Sequence, residues 1–106
     1  MPIQRPAQSR IPLPLEGIES LCRKWRIREF SLFGSVLRED FGPDSDIDVL
    51  VVFEPGVRHD VDSRLAMESE LEAIFGREID LVERRRIINP FRRHHILTHR
   101  QILYAA

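Results

Sequence analysis

The sequence predicts a small α/β (α+β) fold, a β-sheet covered by helices. Three observations predict it. Helical periodicity and strand alternation take turns along the chain, in the order α-β-α-β-α-β-α with a further β at the end. With 106 residues, 42% hydrophobic and 31% charged, the chain can bury one real core but has no room for a second, substrate-binding domain. The run Val49-Leu50-Val51-Val52-Phe53 is apolar enough to be a buried strand.

The elements follow in order. Residues 1 to 12 carry prolines at 2, 6 and 12 and little periodicity, and read as an extended tail ahead of a single domain over residues 13 to 106. A first helix fits 13 to 26, with Pro14 in its first turn and Ile18, Leu21, Cys22 and Trp25 as one apolar stripe. A strand over 28 to 33 runs straight into Gly34-Ser35, and a short helix over 36 to 40 follows. The turn signal Phe41-Gly42-Pro43-Asp44 leads to a strand over 46 to 53, which Glu54-Pro55-Gly56 ends. A long helix fits 60 to 75, with Met67, Leu71, Ile74 and Phe75 on one face and Gly76 as its stop. Residues 78 to 83 form a third strand. Asn89-Pro90 then caps and opens a helix to Thr98, and residues 100 to 104 suit a last short strand.

Composition narrows the function. The lone Cys22 can form no internal disulfide, and no apolar run approaches the roughly 20 residues that span a bilayer. With no signal-peptide core at the N-terminus, a cytoplasmic protein is expected. The net charge of -1 conceals a division: residues 39 to 83 hold fourteen acids against three arginines, whereas 84 to 106 hold six arginines and no acid. The acidic middle repels nucleic acid unless metal ions intervene. The basic end fits either a solvated face or an anionic partner.

Two acids at the head of the apolar strand need a reason, because an unpaired buried carboxylate is costly. On a strand Asp46 and Asp48 share a face, with Cα atoms roughly 6.6 Å apart, while Ile47, Val49 and Val51 face the core. Like charges so placed repel unless a cation lies between them, and hard oxygen ligands on a rigid strand suit Mg²⁺. Asp80, on the opposite side from Ile79 and Leu81, can complete a three-carboxylate cluster if its strand is a neighbour. Such a cluster can hold two ions for phosphoryl transfer. Taken singly, each acid also fits a turn cap or an exposed edge. Gly34-Ser35 supplies the anion-binding half: Gly34 permits close approach of a phosphate and Ser35 offers a hydroxyl, although alone it is an ordinary cap. Arg38 fits a triphosphate contact or a solvated side chain. The four histidines, His59, His94, His95 and His99, lack zinc-site spacing and read as surface or partner contacts.

Gly-Ser, ten residues, Asp-x-Asp on a strand and a later Asp in "EIDLV" together resemble the DNA polymerase β-like nucleotidyltransferase superfamily. Within it, "SLFGSVLREDFGPDSDIDVLVVFEPG" is similar to the minimal nucleotidyltransferases, antitoxins paired with HEPN-domain ribonuclease toxins. The resemblance covers about residues 13 to 104. It implies a small mixed sheet covered by helices. It also implies that Gly34, Ser35 and Arg38 contact the triphosphate of ATP, that Asp46 and Asp48 ligate Mg²⁺ (or Mn²⁺) together with Asp80, and that Asp80 helps activate the attacking hydroxyl. Val36 and Glu39 stand where members often carry Arg or Tyr and Gly.

The expected activity is transfer of AMP to a hydroxyl, a tyrosine in the family case, of a cognate HEPN toxin made by an adjacent gene. The alternative is an antitoxin that neutralises by covering its partner, without catalysis. A domain this small holds no acceptor lobe, so residues 84 to 100, with Arg92, Arg93, Phe91 and Ile96, are expected to form part of the docking surface for that partner, in a hetero-oligomer; the alternative is a solvated helix packed by Ile96 and Leu97. No membrane or direct nucleic-acid binding is expected.

Overall fold

In the computed structural model, which describes residues 3, 11–39 and 41–106, four strands form a mixed sheet in the order β3-β2-β1-β4. They are β1 (Ile27–Phe33), β2 (Ile47–Phe53), β3 (Ile79–Glu83) and β4 (Arg100–Ala105). β1 pairs antiparallel with β2 and β4, and β2 pairs parallel with β3. The parallel pair needs a crossover, and α2 (Val61–Phe75) supplies it. With α1 (Leu15–Trp25) and α3 (Pro90–Thr98) this is the small α+β sheet expected.

Sheet faces divide the core. Ile47, Val49 and Val51 of β2 are fully buried with Phe30, Leu32 and Leu81, beneath Ile18, Leu21 and Cys22 of α1 and Met67 and Leu71 of α2. Phe33, Leu50, Ile87 and Ile96 form a smaller cluster that brings α3 into the core. The α1 stripe is therefore core as expected, and burial pushes the Cys22 thiol far above its ordinary range. On α2, Ile74 is partly exposed and packs over Gly17 of α1, where a Cβ would already touch it.

The helix ends follow their chemistry. The Asp60 carboxylate accepts from the Ser63 N–H, and Gly76 closes α2 in the left-handed conformation. The Asn89 side chain accepts from the Phe91 and Arg92 N–H groups, with Pro90 in the first helical position. α1 differs from expectation, because Pro14 stands outside it as the N-cap residue. The segment after Gly34-Ser35 also differs: it is a four-residue 3-10 turn over Gly34–Leu37, and Arg38 beyond it is extended. A second such turn over Arg84–Arg86 was not anticipated. Most of the tail, residues 1, 2 and 4–10, lies outside the described residues, as does Asp40. Ile3 forms an isolated antiparallel bridge with Tyr104.

Candidate active site

β1 and β2 meet at the end where β1 runs into the Gly34–Leu37 turn, with Phe33 and Asp48 opposite each other. Gly34 adopts φ +75, and a Cβ added there would lie 2.2 Å from the Asp48 carboxylate oxygen Oδ2. Glycine is thus required twice, for its left-handed backbone and for the space that Asp48 occupies. The turn is too short to provide a helix dipole, so its anion-binding capacity rests on leading N–H groups without partners inside the turn and on nearby arginines.

Asp48 and Asp80 are register partners across the parallel β2–β3 pair. The strand begins at Ile47, so Asp46 stands one residue ahead of it and is exposed. Arg77 holds the loop in front of Asp46. Its Nη1 donates to the carbonyls of Gly42 at 2.8 Å and Ser45 at 3.2 Å, and its guanidinium lies 4.4 Å from the Phe41 ring centroid. Sequence patterning gave no sign of this clamp, because Arg77 looks like any charged residue after a helix stop.

The electrostatics confirm the gathering of charge. Partial burial, then Asp80, then Asp46 raise the Asp48 pKa, and Arg38 and Arg92 pull it back. Among the described residues, no group of three acids, histidines or cysteines closes into a ready cation cage. Asp48 and Asp80 lie adjacent in the sheet, and Asp46 adds its charge from the residue just ahead of β2. That donor set fits Mg²⁺, which is usually held by one or two carboxylates and completes its shell with water and substrate phosphate.

A cavity of about 520 Å³ opens beside this pair, lined by Phe33, Gly34, Leu37, Arg38, Arg92, His95, Ile96 and His99. This redraws the basic segment. Arg92, expected on a docking face, belongs to the cavity and to the field on Asp48. Ile96 is 4% exposed and packs the helix into the second core with Leu97, so it is no exposed docking anchor. Arg85 and Arg86 both pair with the buried Glu83, at 2.9 and 2.8 Å, and Arg100 pairs with Glu29 at 3.3 Å. His59, expected at the surface, packs edge-on between Trp25 and Phe53 and bonds the Trp25 carbonyl at 2.8 Å.

The profile of the Nucleotidyltransferase domain family matches residues 16–103. The Protein adenylyltransferase MntA of Thermococcus cleftensis is 36% identical over 80 residues, 66% of this chain and 77% of that protein. A toxin–antitoxin crystal structure with AMP-PNP superposes with a TM-score of 0.72 at 23% identity, covering 89% of this chain and 75% of the other. A complex of tri-AMPylated Shewanella oneidensis HEPN toxin with MNT antitoxin gives a TM-score of 0.64 at 21% identity, covering 88% and 71%. At those identities the two structures establish the fold. No helix among the described residues is long and apolar enough to cross a membrane. The matched span and the sequence identity together place this chain in the nucleotidyltransferase family, among its minimal, protein adenylyltransferase members.

Proposed function

We propose that the protein is an antitoxin that transfers AMP from ATP, with Mg²⁺, to a tyrosine hydroxyl of a cognate HEPN ribonuclease toxin. The observation that carries this reading is the close packing of Gly34 on Asp48, which sets the Gly-Ser turn directly beside a carboxylate pair. The MntA relative and the AMPylated toxin complex support the chemistry and the partner.

In this reading Gly34, Ser35 and Arg38 orient the triphosphate so that its α-phosphorus faces the Asp48–Asp80 pair. Asp46, Asp48 and Asp80 hold Mg²⁺ when it is bound, and its charge would offset the charge that develops on the phosphates. Asp80 accepts the proton of the incoming hydroxyl. The hydroxyl oxygen bonds to the α-phosphorus, the bond from that phosphorus to the bridging oxygen of the β-phosphate breaks, and pyrophosphate leaves. The partner brings the acceptor and docks on what remains of the basic segment, where Ile88 and Phe91 are 92% and 85% exposed beside Arg93.

Co-expression with the HEPN reading frame of the adjacent gene tests the proposal. The intact mass of the toxin is expected to rise by one or more AMP residues. A bound and silenced toxin of unchanged mass would support the binding-only alternative instead.

A further inference from the structure

We propose that the cavity between the Gly34–Leu37 turn and α3 is the nucleoside pocket of the site, with the base against His95 and Arg92 on the phosphates. This rests on the nucleotide-transfer reading above and adds to it a set of α3 residues that the sequence had assigned elsewhere.

The cavity lining combines three chemistries. Arg38 and Arg92 supply positive charge, and Gly34 adjoins the Asp48 carboxylate. Both arginines line the cavity, so a bound anion meets positive charge from the turn side and from α3. The floor is apolar: Phe33 and Ile96 are buried in the second core and so are fixed in place, with Leu37 beside them. His95 and His99 form the wall, stacked with ring centroids 4.3 Å apart and planes inclined by 24°. The His99 ring is held by its Nδ1, 2.9 Å from both the His95 carbonyl and the Thr98 hydroxyl.

A nucleoside triphosphate calls for the same combination, cations for its phosphates and flat rings for its base. Bases stack on imidazole faces as they do on other rings. The volume of about 520 Å³ lies within the range of small-molecule sites. A nucleotide whose phosphates rest at Gly34 has this cavity directly beside it, which favours the nucleoside over any other occupant.

Two probes separate the parts: Mg²⁺·AMP-PNP, and Mg²⁺·tripolyphosphate, which lacks a base. The first is titrated by calorimetry, and the second is measured by its displacement of AMP-PNP. Arg92→Gln is expected to weaken both by about tenfold or more, as loss of a phosphate contact should. His95→Ala is expected to weaken AMP-PNP about tenfold, leave tripolyphosphate within about twofold, and be rescued by His95→Phe. Arg93→Gln, which lines a separate cavity with Glu83, Arg84 and Arg85, should change neither. His95 and Arg92 are exposed, so folding should survive, and thermal denaturation checks it. Wild-type affinity for AMP-PNP after His95→Ala overturns the pocket, and so does an equal loss of both probes. Intact AMP-PNP binding with a weakened toxin complex would instead make the cavity a socket for the partner. If the wild type binds neither probe, the nucleotide-transfer reading itself falls, and the pocket with it.

Discussion

Asp48 carries the most informative single side chain. Its folded pKa lies above the ordinary 3.8, because burial, Asp80 and Asp46 outweigh Arg38 and Arg92. A group raised in this way favours the fold when protonated, so its contribution is greatest below pH 3.8 and declines as pH rises through the folded value. At neutral pH without divalent ions, ionised Asp48 therefore opposes folding. Asp48→Asn, alone or with Asp46→Asn, is expected to keep or raise the metal-free melting temperature while abolishing AMP transfer. A collapsed fold would make these acids structural. Gly34→Ala should do the reverse: a left-handed backbone costs roughly 1–2 kcal/mol for a residue with a Cβ, and the methyl group must also displace Asp48. Denaturant unfolding should show at least that loss, together with weakened nucleotide binding. The spacing of Gly34, Asp46 and Asp48 made this site legible in the sequence. Arg77 was not legible, since a side chain that bonds two distant carbonyls leaves no periodic mark.

At the scale of elements, α3 was found correctly, and its residues divide between the core, a cavity and the open surface. Asn89, Pro90 and the apolar Ile96 marked its limits, but a basic run cannot reveal which side each arginine takes. Successive helical residues point about 100° apart, so Arg92 turns toward Asp48 while its neighbour Arg93 lines a different cavity. The first 3-10 turn was expected as a short helix over 36 to 40 and the second was missed, because such turns leave no hydrophobic period to read. A pair of cap variants separates stability from function. Asn89→Ala and Asp60→Ala should each cost about 1 kcal/mol in denaturant unfolding, because each deletes the side-chain acceptor at a helix start. Only Asn89→Ala should also weaken AMP-PNP binding, since only α3 bears Arg92 and His95. Equal effects on binding would remove α3 from the site.

For the whole molecule, the sheet order places both halves of the chemistry at one edge-spanning seam. β1 ends in the Gly-Ser turn, β2 begins with the acids, and parallel β3 lays Asp80 beside Asp48. Strand adjacency is a tertiary fact, and the sequence could state Asp80 only as conditional upon it. The surface available to a partner is likewise a property of the whole fold. With Ile96 buried and Arg85, Arg86 and Arg100 paired internally, Ile88 and Phe91 are the exposed apolar residues that the basic segment offers to the proposed docking. Phe91→Ser is expected to weaken the toxin complex at least tenfold in a binding titration, with the melting temperature unchanged. The most direct test of the central claim uses purified protein, purified toxin and ATP labelled separately at the α- and γ-phosphorus. Label from the α-position should pass to the toxin only with Mg²⁺ and only from protein that keeps Asp46 and Asp48. Transfer of the γ-label, or α-label transfer undiminished in Asp46→Asn/Asp48→Asn, would contradict the account.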